Sequence, residues 1–192
     1  MILCDSSIRK ALDSGWLKCD PAPSDEQIQP ASLDLRLSGH FKRFSRELSA
    51  HSYVVNLSTW DAATGMKDVV VEEGDYFRIK PNEFWLASTV EKVTLPPDLL
   101  GTLHGRSSLA RLGLIIHSAG YIDPGFSGTI TLELANVGPH TLEIPIGWRI
   151  GQLSFELLDH AAEKPYGVKP NSKYQGQVGP TASMAHNDRS EK

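Results

Sequence analysis

The sequence predicts an all-β sandwich or barrel, and two observations carry that prediction. Short strand-like runs recur along the chain with turn residues between them, and no long helical pattern alternates with them. At 192 residues and 40% hydrophobic content, a single domain with a substantial core is expected.

Taken in order, Asp5 or Ser6 caps a short helix that runs through Ile8, Ala11 and Leu12 and stops at Gly15. Prolines at Pro21, Pro23 and Pro30 lead into a first strand at 32–37. Further strand-like runs lie at 53–57, 69–71, 76–79, 84–89, 101–103, 129–134, 141–144 and 150–155. The punctuation between them includes Glu73-Gly74-Asp75, Lys80-Pro81-Asn82, Pro96-Pro97-Asp98, Asp123-Pro124-Gly125 and Ile146-Gly147. Residues 45–66 are the least patterned and read as an insertion or long loop. The polar tail at 181–192 is expected to be mobile.

Composition excludes some functions. A net charge of −4 gives no basic footprint for bulk nucleic-acid binding. No run approaches the roughly 18 apolar residues of a membrane span, and the first ten residues lack a signal peptide's apolar stretch. Two cysteines, Cys4 and Cys19, make no disulfide framework, so reduced thiols in a cytoplasmic setting are expected.

Chemistry concentrates in GRSSLARLGLIIHSAGYIDPGFSGTITLELAN, residues 105–136. Period-two alternation puts Ile130, Leu132 and Leu134 on one strand face and Thr129, Thr131 and Glu133 on the other. Arg106-Ser107-Ser108-Leu109-Ala110-Arg111 reads as a helical turn with a serine N-cap and Arg111 one turn on. Its free N–H groups and positive dipole end suit a phosphate. Each piece alone also matches something ordinary, a solvated sheet face or a capped helix start.

Together, GRSSLARLGL, AGYIDPGFSG and ITLELAN resemble the core signature of the dCTP deaminases, members of the trimeric dUTPase superfamily. The likeness extends to QPASLDLRL at 29–37, to Pro165-Tyr166-Gly167 and to SKYQGQ at 172–177, so it covers most of residues 1–180. It implies a distorted jelly-roll-like β-barrel of the dUTPase type with a few short helices. It also implies a homotrimer with sites at subunit interfaces, and residues 165–180 as a closing segment over a 1–180 domain.

What the resemblance implies chemically is deamination of dCTP. Glu133 would move the protons, Ser107 and the Ala119 carbonyl would hold the attacking water, and Arg111 would supply fixed positive charge. Nucleotide contacts would come from Arg106, Ser107, Ser108, Leu109, Ala110, Arg111, Asp123, Thr131, Leu132, Glu133, Gln152, Tyr166, Lys173 and Gln177. Mg²⁺ would arrive on the triphosphate, and dUTP and dTTP are further candidate ligands, the latter as an inhibitor. Zinc chemistry is not expected: there is no Cys-x-x-Cys pair, and the seven histidines, His104 and His117 among them, show no ligand spacing. Relatives that only deaminate commonly carry an Arg before the Ile-Asp-Pro-Gly segment, where this chain has Ala119-Gly120-Tyr121. That substitution resembles the bifunctional enzymes, with Asp123 as a second base, and implies dUMP, ammonia and diphosphate as products, against dUTP and ammonia for a deaminase alone.

Overall fold

A computed structural model describes residues 1–45, 54–60, 65–117 and 120–187. Helix α1 (Asp5–Asp13) opens the chain, followed by β1 (Lys18–Asp20), a 3-10 turn (Asp25–Gln27), β2 (Ile28–Gln29) and β3 (Ser32–Phe44). Then come β4 (Met66–Val70), β5 (Tyr76–Ile79), β6 (Phe84–Thr94) and β7 (Leu99–Gly105). Helix α2 (Ser107–Ala110) leads to β8 (Leu114–His117), β9 (Tyr121–Ile122), β10 (Ser127–Asn136), β11 (Leu142–Pro145) and β12 (Arg149–Leu157).

The all-β expectation holds. Ten strands form one curled, half-barrel sheet with the path β8-β10-β6-β3-β12-β7-β9. Off that path, β1 pairs with β6, and β2 and β4 pair with β3; β11 and β5 form a separate ribbon. Every pairing among the described residues is antiparallel. No helix among the described residues is long and apolar enough to cross a membrane.

Alternation decides which faces are buried. Leu33, Leu35 and Leu37 of β3, Leu132 and Leu134 of β10, and Leu153 and Phe155 of β12 are all at 0% exposure and meet in one core. Each such side chain contributes about 1.5–3 kcal/mol relative to leaving it in water. The small ribbon is pinned to the main sheet by Phe77, whose ring stacks on Phe41 with centroids 4.0 Å apart. Glu91, fully buried on β6, accepts from Arg36 Nε at 2.6 Å, from the Arg36 backbone N–H at 2.8 Å and from Gln27 Nε2 at 2.9 Å. Those donors are what make a carboxylate tolerable there.

Three local readings are corrected. The N-cap of α1 is Cys4, and Asp5 lies inside the first turn, where its carboxylate accepts from the Ser6 N–H at 2.7 Å. No strand forms at 54–57: Val54 and Leu57 are exposed, and the Asn56 side-chain oxygen accepts from both the N–H and the hydroxyl of Ser58. That asparagine turn competes successfully with sheet pairing. Finally, the cap of α2 is Arg106, not a serine, because the helix already begins at Ser107, earlier than a serine cap would allow.

Candidate active site

Strand β10 supplies the carboxylate. In register it lies between β6 and β8, with Glu133 opposite Leu86 on one side and His117 on the other. Ile130, Leu132 and Leu134 turn inward as the alternation requires, whereas Thr131 and Glu133 are only partly buried. Both line a cavity of about 720 Å³ that also takes in Gly120, Tyr121, Asp123, Tyr166 and Gln177. Its lining also includes the apolar side chains of Phe44, Trp60, Phe84 and Leu86. Five of the expected nucleotide contacts are thus brought together around one space.

The C-terminal segment closes that space from the same chain. The Tyr166 N–H donates to the Pro124 carbonyl at 2.7 Å, and the Tyr166 hydroxyl accepts from the Tyr174 N–H at 2.9 Å. Further along, the Thr181 N–H donates to Thr131 Oγ1 at 3.0 Å, and Ala182 is buried. The chain therefore stays on the domain beyond Gly179, with Thr181 on β10 and the Met184 N–H donating to the Tyr174 hydroxyl at 3.1 Å. Thr181 and Ser183 line the cavity as well, a contribution that a polar tail sequence does not advertise.

The basic turn stands elsewhere. Arg106, Ser107, Ser108 and Ala110 line a second cavity of about 650 Å³ with Gln29, Ser32, Asp34 and Gln152. Gln152 is placed by sheet register, opposite Asp34 of β3 and His104 of β7. Ser107 and Ser108 are exposed and lie inside the turn rather than capping it, and the Arg106 side chain reaches across to donate to the Arg149 carbonyl at 3.1 Å. The two cavities share no lining residue.

Other expected residues stand apart from both. Arg111 is exposed at the end of α2, Leu109 packs on the core, and Lys173 is partly buried in the C-terminal segment. Leu132 is fully buried, so its side chain serves the core. Ala119 lies outside the described residues. Gly120 has φ +77 with open space where a Cβ would stand, so the backbone conformation is what selects glycine there. Asp123 is exposed at the cavity mouth, in the turn where its carbonyl accepts from the Phe126 N–H.

Sequence reasoning missed Asp34 and Arg149. Both fall on strand faces that read as solvated, yet Asp34 is 1% exposed and lies between Arg106 and Arg149. Burial pushes its carboxyl up, and the two guanidinium groups only partly offset this. Among the described residues, no group of three His, Cys, Asp or Glu side chains could hold a metal ion. The second cavity instead offers a guanidinium, hydroxyls and amides, a donor set that suits phosphate oxygens.

Comparison with known proteins gives a consistent result. Residues 2–158 match the model of the family described as dCTP deaminase-like. A Corynebacterium glutamicum protein named dCTP deaminase, dUMP-forming, is 47% identical over 97% of this chain and 97% of its own. A Methanosphaera stadtmanae protein of the same name is 44% identical, covering 97% of this chain and 95% of that one. A Natronomonas pharaonis protein named dCTP deaminase is 45% identical over 98% of this chain and 97% of the other. Among solved structures, the 2′-deoxycytidine 5′-triphosphate deaminase from Agrobacterium tumefaciens superposes with a TM-score of 0.63 at 23% identity. That alignment covers 81% of this chain and 48% of that one, and it speaks for the fold alone.

Proposed function

This chain belongs to the dCTP deaminase-like family, and from that membership together with its two cavities we propose that it hydrolyses dCTP to dUMP, ammonia and diphosphate. The reaction supplies dUMP to pyrimidine deoxynucleotide metabolism in the cytoplasm. One observation carries the reading. On a strand whose alternate side chains are wholly buried, Thr131 and Glu133 face a cavity shared with Asp123, Tyr166 and Gln177.

In the first step, Glu133 takes a proton from water as its oxygen attacks C4 of cytosine. The same carboxyl then delivers that proton to the departing amino group, the C4–N bond breaks to release ammonia, and the remaining C4 hydroxyl proton passes to N3, leaving the C4 carbonyl of uracil. Thr131 meets the base edge, Ser107 and the Ala119 carbonyl hold the water, and Arg111 steadies the developing charge. Asp123 then serves as base for a second water, which attacks the α-phosphorus and breaks its bond to the bridging oxygen, releasing diphosphate. Arg106, Ser107, Ser108 and Gln152 hold the phosphates, while Tyr166, Lys173 and Gln177 complete the pocket from the closing segment. Mg²⁺ bound to the triphosphate would neutralise phosphate charge. No zinc takes part in this scheme.

The phosphate-binding turn and the carboxylate strand line different cavities, which supports a site completed by a neighbouring chain in a homotrimer. The test is product analysis. Purified protein with dCTP and Mg²⁺ is expected to give dUMP, ammonia and diphosphate in equal amounts. Accumulation of dUTP with ammonia and no diphosphate would reduce the activity to deamination, and failure to release ammonia would overturn the reading altogether.

A further inference from the structure

Asp34 sits on β3 between the wholly buried Leu33 and Leu35, and its own exposure is 1%. A carboxylate so far from water calls for counter-charge. Its Oδ2 lies 3.3 Å from Arg149 Nη1 and 3.5 Å from Arg106 Nη2. Its Oδ1 is buried with no hydrogen-bond partner. The two arginines are tied to each other and to the chain: Arg106 Nη1 donates to the Arg149 carbonyl at 3.1 Å, and Arg149 Nη1 donates to the Glu26 carbonyl at 2.7 Å. Two cations therefore share one anion at the wall of the second cavity, leaving a net positive charge beside Ser107, Ser108 and Gln152.

The fold gains little from this carboxylate, since burial pushes its proton affinity up despite both arginines. Geometry gives it another use. Arg106 meets a single carboxylate oxygen at the loose end of ion-pair distance, while the second oxygen stays open. A small turn of the planar guanidinium would bring another N–H onto Oδ1, and the opposite edge would then face the cavity. A lysine, with a point charge and no second edge, could not do this.

We propose that Asp34 is a positioning residue for the polyphosphate end of the site, orienting the Arg106 guanidinium toward the phosphates. The inference rests on the reading above that this cavity holds the triphosphate. Inorganic tripolyphosphate probes that subsite without the base, so its inhibition constant is measured alongside kcat and KM for dCTP. Asp34→Asn is expected to raise the KM and the inhibition constant together by about tenfold, the equivalent of one charge-assisted hydrogen bond, with kcat little changed. Arg106→Gln is expected to raise both, and the double variant to be no weaker than Arg106→Gln alone. Arg106→Lys, at a partly exposed site that tolerates the change, is expected to lose most of what Arg106→Gln loses, and it carries the test if Asp34→Asn does not fold. If Arg106→Gln weakens both constants while Asp34→Asn or Arg106→Lys behaves as wild type, the positioning role falls and the phosphate reading stands. If Arg106→Gln moves neither constant, the phosphate reading itself falls.

Discussion

Gln177 and Thr129 are joined by three hydrogen bonds: the Gln177 side-chain amide donates to the Thr129 carbonyl at 2.7 Å, and the Gln177 carbonyl accepts from the Thr129 N–H at 3.0 Å and from the Thr129 hydroxyl at 3.4 Å. The closing segment is thereby fastened to the strand that carries Glu133, two residues before Thr131. Removing the side chain in Gln177→Ala takes away one of the three bonds, at about 0.5–1.5 kcal/mol. The expected result is faster tryptic cutting after Lys173 and a severalfold higher KM for dCTP. An unchanged cutting rate would show that the segment is held by other contacts.

Glu133→Gln keeps the size of the side chain and its capacity to hydrogen-bond but cannot shuttle a proton. Ammonia release from dCTP should fall by at least ~10²-fold, the lower range for lost acid–base catalysis. Nucleotide binding, followed by calorimetry, should persist. Substantial residual deamination would remove Glu133 from the mechanism.

Gly125 lies at φ +86, and a Cβ added there would stand 2.7 Å from Pro165 Cβ and 2.8 Å from the Tyr166 carbonyl oxygen. Gly125→Ala therefore meets both an unfavourable backbone conformation and a collision with the closing segment. It should cost more than the ~0.4–1 kcal/mol that Gly→Ala gains at a compatible backbone position and should disturb Asp123 and Tyr166 together. A variant with wild-type melting temperature and KM would contradict that packing.

The two cysteines should separate cleanly by pH. Hydrogen bonds from the Ser6 and then the Ser7 hydroxyl bring the exposed Cys4 thiol down to about 7, whereas burial and then Glu91 push Cys19 up to about 12. Thiolate forms as pH rises through the pKa, so iodoacetamide labelling of Cys4 should climb steeply between pH 6 and 8, on the order of one pKa unit either side. Cys19 should stay unlabelled across that range in the folded protein. Equal labelling of both at pH 7 would refute the assignment.

Much of the fold was legible in the sequence because period-two alternation reports burial directly. Ile130, Leu132 and Leu134 face the core as their spacing requires, and the runs at 76–79 and 150–155 coincide with β5 and the body of β12. Short partners such as β1, β2 and β9 were not legible, since two or three residues establish no period and form strands only because a longer strand is beside them. The same limit hid Asp34. Alternation with Leu33 and Leu35 assigns it to a solvated face, and only the three-dimensional arrival of Arg106 and Arg149 makes a buried carboxylate tenable there. Site residues on β10 were legible as a polar stripe, but their separation from Ser107 and Arg106 into another cavity was not, because that depends on how the sheet curls.

That separation gives the most direct test of the account, which holds that the carboxylate of one chain works with the serine turn of its neighbour. Glu133→Gln and Ser107→Ala proteins, each nearly inactive alone, are mixed, unfolded and refolded together as trimers, and ammonia release from dCTP is measured. In a head-to-tail ring, random mixing leaves about a quarter of the sites with both residues intact, so about a quarter of wild-type activity should return. Mixed trimers no more active than the separate variants would place Glu133 and Ser107 of each site in the same chain and contradict the account.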